Sequence, residues 1–219
     1  MKKYAATKML ILLLCGAVLV LSSANCKGKC ELNPKEGFTI VGDDADCHYN
    51  EITYNVGDLY NVNGVKGIVF AVSADKKHGS ILSIESITLA QYRWAKVYEV
   101  TGATDTLDGA NNMTIIKTMT NWATNYPAFK YLDDKGFYIP AKNELRTIFN
   151  NYNTIKSAVE KNGGSFNYDN NNSFIYSSTE VNSNQCYILS YNNSNGIVFD
   201  KWSKKGEEND DFTFGVKKF

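Results

Sequence analysis

Helix-period patterning is confined to the middle of this chain, and strand-period patterning flanks it on both sides. In "GFYIPAKNELRTIFNNYNTIKSAVEKNGG", residues 136–164, the side chains of Leu145, Ile148, Phe149 and Tyr152 fall on one helical stripe. Pro140 suits a first-turn position, and Glu144 falls in the opening turns, where its charge meets the positive end of the helix dipole. Gly163-Gly164 stops whatever helix follows. Upstream, residues 108–129 place Met113, Ile116, Met119 or Thr120, and Ala123 at the same spacing, and Pro127 ends that helix. A short helix over 88–97 is also expected, with Leu89, Tyr92 and Lys96 on one face and Trp94 nearby.

The flanks read differently. In "DLYNVNGVKGIVFAVSADKKHGSILSIES", residues 58–86, Asn63-Gly64 marks a hairpin, because both residues accept positive φ. Gly67 to Val72 is a buried-type run, Asp75 to Gly79 turns the chain with His78 exposed, and Ser80 to Ile84 alternates. Four short strands are expected after the helices, over 174–177, 186–191, 196–202 and 211–217. Strands, then two or three helices, then strands define an α+β fold with a mostly antiparallel sheet, in which the two ends of the chain lie together. With 219 residues, one domain suffices, and it buries roughly 70% of its unfolded surface.

The chain opens on an address. Lys2, Lys3 and Lys8 precede an apolar run from Met9 to Leu21 and the small residues Ser22-Ser23-Ala24, the layout of a secretory signal peptide over residues 1–24. The run is shorter than the ~20 apolar residues a membrane span needs. Two processing routes compete. Cleavage after Ala24 leaves Asn25 first; alternatively Cys26 is lipidated, although Asn25 stands where a lipoprotein site wants a small residue. The product is expected in the periplasm, at the cell surface or secreted, with membrane contact only through such an anchor. Without the address, 20 basic residues face 23 acidic ones, so no basic stripe suggests nucleic acid.

Residues 25–52 form a polar, Cys-containing leader, and the folded domain is expected over 53–219. Cys15 leaves with the address. Cys26, Cys30, Cys47 and Cys186 remain as disulfide candidates with three possible pairings. Lipidation of Cys26 would leave Cys30 with Cys47 as the simplest pair. Zinc at Cys26, Cys30, Cys47 and His48 is disfavoured by export into an oxidising compartment. Cys186, in "CYILSY", reads as a small buried residue.

Catalytic chemistry is not expected. The hydroxyl cluster in "FIYSSTE", residues 174–180, needs a base and an orienting acid to be nucleophilic. The chain has two histidines, His48 in the leader and His78 in a turn. The spacings G-x-S-x-G and H-E-x-x-H, the P-loop and the dinucleotide fingerprint are absent. Asp43-Asp44-Ala45-Asp46 lacks the spaced ligands and glycine of a calcium loop. The segment reads instead as a strand end. Phe174 and Tyr176 point one way and Ile175 and Ser177 the other; the hydroxyls bond to nearby backbone, and Glu180 accepts the N–H groups of a tight turn. No metal, cofactor or catalytic residue is assigned.

The segments "VGDLYNVNGVKGIVF", "DGANNM", "PAFKYLDDKGFYIPAKNELRTIF", "FIYSSTE" and "FGVKKF" follow one another in an order that resembles the Lcl C-terminal domain family of exported bacterial proteins. Gly136 to Leu145 matches its G-W-Y-L-P-[ST]-x-x-E-L pattern, and Tyr176 to Glu180 matches W-S-S-T-E with Tyr for Trp. Gly215 to Phe219 matches the closing V-R-x-[FV] loosely. The resemblance implies a C-type-lectin-like fold, distantly like that of formylglycine-generating enzymes, and an adhesion role with a glycan or a surface protein as ligand. A structural part in an envelope assembly, or an unrecognised enzyme, are the alternatives. The E-P-N, Q-P-D and W-N-D calcium motifs of sugar-binding lectins are missing. Loop aromatics such as Tyr98, Tyr191 and Trp202 are ligand-stacking candidates.

Overall fold

The computed structural model describes residues 38–41, 48–88, 92–166, 174–192, 196–204 and 212–219. The chain divides into two units, Met1–Asn50 and Glu51–Phe219. Strands β1 (Phe38–Val41) and β2 (His48–Glu51) pair as a two-stranded sheet.

The second unit is built on a seven-stranded sheet. Asn63 and Gly64, at φ 50° and 78°, turn β3 (Leu59–Val62) onto β4 (Val65–Val72), as the hairpin signal predicts. A second turn, with His78 exposed, leads into β5 (Gly79–Thr88). The last four strands are β6 (Ile175–Glu180), β7 (Gln185–Asn192), β8 (Gly196–Ser203) and β9 (Phe212–Lys218). The order across the sheet is β3-β4-β5-β9-β6-β7-β8. Every pairing is antiparallel except β6 with β9, which run parallel and meet at Ile175 and Phe212. The final strand therefore sits at the centre and ties the two ends of the unit together, as expected.

The middle of the chain is more finely divided than its periodicity suggests. Among the described residues there are five helices rather than two or three: α1 (Gly109–Ile116), α2 (Trp122–Asn125), α3 (Pro127–Asp134), α4 (Lys142–Asn150) and α5 (Tyr152–Lys161). Asp108 caps α1 by accepting from Ala110 N at 3.0 Å. Gly109 is required there, because a Cβ would lie 2.2 Å from the Ile139 carbonyl oxygen. Pro127 opens α3 instead of closing the preceding helix; its missing N–H costs nothing at a first position. Pro140 precedes α4 by two residues, and its carbonyl accepts from Ser178 N at 2.8 Å. Gly163, at φ 83°, follows the end of α5 as expected.

The helix expected over 88–97 is corrected. Residues 92–97 carry no helix, and 89–91 lie outside the described residues. Ala95 N donates to Lys204 O and Lys96 N to Asn125 O, so tertiary partners replace the i→i−4 ladder. Trp94 is thereby fully buried, edge-on to Tyr126 and Phe129. At the strand end over 174–180, every residue of β6 is buried, so both of its faces lie against protein, while Phe174 just before it is half-buried.

Candidate functional site

Three hydroxyls and a carboxylate occupy consecutive positions in β6, and each is engaged. Ser177 Oγ donates to Tyr187 O at 2.8 Å. Its carbonyl accepts from the Trp94 indole at 2.8 Å, which holds the irregular 92–97 segment to the sheet. Ser178 N donates to Pro140 O. Ser178 Oγ accepts from the Asn112 amide at 2.9 Å, and that amide also donates to Asp105 O at 2.7 Å. Thr179 Oγ1 donates to Asp105 O at 2.8 Å and accepts from Lys142 N at 3.0 Å, so it caps α4 from another part of the chain.

Glu180 closes the row. Its carboxylate accepts from Thr101 N (2.9 and 3.1 Å) and Gly102 N (2.7 Å), the turn role expected of it. It also pairs with Lys204, which periodicity and spacing left without a role. The two side chains are 1% and 0% exposed. The Lys204 ammonium donates in addition to Glu99 O at 3.0 Å and stands 4.8 Å from the centre of the Trp94 ring. A buried pair of this kind persists only with its remaining donors and acceptors satisfied, and the backbone partners on both sides do that.

Chemically, this arrangement braces the structure. The side chain facing Ser178 Oγ is an amide, which cannot take a proton, and His78 is exposed in the β4–β5 turn. A half-buried carboxylate, Glu144, accepts from Ala141 N at 2.8 Å, Gly109 N at 3.0 Å and the Tyr138 hydroxyl at 2.9 Å. Ala141 has no side-chain oxygen, so only the glutamate half of a capping box exists here. Burial pushes the Glu144 carboxyl above its ordinary range, against the pull of those three donors. Burial first, then the Glu144 charge, pushes the Tyr138 phenol up. Asp105 moves the other way, held low first by the Asn111 amide and then by the N–H groups of Leu107 and Asp108.

The exposed candidates lie elsewhere. Tyr98 is 47% exposed, and its hydroxyl lies 3.0 Å from Ser203 Oγ. Together with the turn Asn182–Gln185 it lines an open cleft of about 540 Å³. Asn182 shapes that turn by accepting from Asn184 N and Gln185 N, both at 2.9 Å. Trp202, in β8 beside Ser203, is 37% exposed and packs 5.0 Å from the Phe174 ring. Cys186 is fully buried in β7. Ala24, Asn25, Cys26, Cys30, Cys47 and the acidic run 43–46 lie outside the described residues, as does the side chain of Tyr191. Among the described residues, no group of three or more His, Cys, Asp or Glu is placed to hold a metal ion. No described helix is long and apolar enough to cross a membrane.

No family model matches the chain, and no curated protein matches it in sequence. The fold is similar to that of a fimbrial protein from Bacteroides ovatus, with a TM-score of 0.52 and 15% identity over 84% of this chain. The match covers 48% of that protein, so the chain spans about half its length. At this identity the likeness is one of fold alone, which in this chain is an α+β domain on a mostly antiparallel seven-stranded sheet.

Proposed function

We propose that the chain is a non-enzymatic, exported or surface-attached adhesion module that recognises a glycan or a surface protein through the Tyr98 cleft. The observation that carries this reading is the division of its polar groups. Those of 177–180 are consumed in buried cross-bracing, whereas at 98, 182–185 and 203 amide and hydroxyl groups bonded to one another gather at the surface beside an exposed aromatic ring. An aromatic face flanked by amides suits a ligand with hydroxyls on an otherwise apolar ring, and loops on a rigid frame are where recognition concentrates.

The proposal extends to a C-type-lectin-like fold of the Lcl C-terminal type. The three motifs behind that resemblance converge in space. Tyr138 pairs with Val216 in an isolated bridge, and Pro140 O accepts from Ser178 N. Residues spread over about eighty positions thus specify one junction, which is why their order forms a pattern.

A glycan array probed with the processed protein, with and without calcium, tests the proposal. Binding that Tyr98→Ala removes is the expected result. A hydrolase or oxidase activity abolished by Ser178→Ala or Cys186→Ala would overturn it. The fimbrial neighbour favours a second reading, a structural component of an envelope assembly. Pull-down from envelope extract would then recover assembly partners whether or not Tyr98 is present.

A further inference from the structure

A second cavity lies on another part of the sheet, between β4, the irregular stretch of β5 and the end of α3. Its volume is about 320 Å³, at the small end of ligand sites, which span roughly 300–1,000 Å³. Ile84, Leu132 and Phe137 form apolar walls, and Tyr131 adds a ring whose centre lies 4.3 Å from that of Tyr92, the two tilted by 33°. Lys66 and Lys135, both exposed, belong to the lining against one exposed carboxylate residue, Glu85. Neither lysine belongs to an ion pair among the described residues. Lys135 instead sits 5.6 Å from the Tyr131 ring centre.

The cavity is preformed. The β5–β9 register breaks between Leu82 and Ser86, and Gly215 N turns to Ser83 Oγ at 2.9 Å, which lifts 83–85 out of the ladder. Gly215 is needed beneath the wall, since a Cβ would meet Phe137 at 2.9 Å and Leu132 at 3.0 Å. Gly164 lets the end of α5 reach Ile84, 2.4 Å from where its Cβ would stand. The wall is therefore seated on backbone rather than on flexible side chains.

We infer that this cavity binds a small amphipathic carboxylate, one whose ring- or chain-sized apolar body fills the walls while its charge meets Lys66 and Lys135. A bare inorganic anion would leave the walls wet, and a neutral molecule would gain nothing from the excess positive charge of the lining. The inference needs neither the Tyr98 cleft nor an adhesion role.

Titration of the full processed protein by ligand-observed NMR tests it, with phenylacetate as the probe, phenylacetamide as its neutral counterpart and inorganic phosphate as the anion without a body. The expected result is saturable binding of phenylacetate with a Kd on the order of 1 mM or tighter. The other two probes should bind on the order of tenfold more weakly. Lys66→Met with Lys135→Met should lower phenylacetate affinity on the order of tenfold without shifting the unfolding midpoint. Tyr98→Ala should leave it unchanged, which separates this site from the cleft. Equal affinity for phenylacetate and phenylacetamide, indifference to the lysine substitutions, or no saturable binding of phenylacetate would each overturn the inference.

Discussion

Lys204 and Glu180 meet with their side chains essentially removed from water. Replacing Lys204 by Met leaves a buried carboxylate facing an apolar stem, and the expected loss is about 3–5 kcal/mol in urea denaturation. Adding Glu180→Gln should restore part of that loss, because a neutral amide oxygen still accepts from Thr101 and Gly102 while the uncompensated charge is gone. No recovery in the double variant would mean that the pair does not act as a pair. Glu144 gives a pH signature instead. Its carboxyl is raised by burial, so the folded state holds the proton more tightly than the unfolded chain does. The stability it adds is fully present below the ordinary carboxyl value of 4.5 and is lost as pH rises through the raised value. Glu144→Gln keeps an acceptor for Ala141 and Gly109 and removes the titration. Its urea midpoint should fall less than that of the parent as pH rises from 4.5.

At the scale of elements, the N-terminus of α4 shows how separate parts of the chain complete one another. Ala141 N goes to Glu144, Lys142 N to Thr179 and Asn143 N to Thr106 O. Thr179→Val keeps the shape and removes both hydroxyl bonds, so a loss of about 1–2 kcal/mol is expected. Faster amide exchange at Lys142 would localise it; unchanged exchange there would contradict the capping role. The Asn63-Gly64 hairpin, the stripe of α4 and the Gly163 stop were legible because each rests on local chemistry. The 92–97 segment was misread because Tyr92 and Lys96 have helical spacing, while the partners that hold it are Lys204, Asn125 and Ser177, remote in sequence. Pro127 can stop one helix or start the next, which hides the division of α2 from α3, and the break between α1 and α2 falls where Asn121 takes φ 54°. The burial of both faces of β6 left no alternation to read, and Lys204 looked like any surface lysine beside acidic residues. Tyr98 and Trp202 are expected as loop aromatics, and both are exposed; Tyr98 lines a cleft, whereas Trp202 lies in β8 and leans on Phe174.

For the whole molecule, the last strand lies between β5 and β6, so the unit has no separable tail. Deleting residues 212–219 should abolish cooperative unfolding rather than lower its midpoint, since it opens the sheet at its centre. A truncated protein that still melts cooperatively would refute that topology. The central claim is that the hydroxyl-rich strand braces the structure. A double-mutant cycle on Ser178→Ala and Asn112→Ala, followed by urea denaturation, tests it most directly. Each single variant should be destabilised, and the two should couple by about 0.5–1.5 kcal/mol, the net worth of the amide–hydroxyl bond. Zero coupling with parental stability in Ser178→Ala would contradict it.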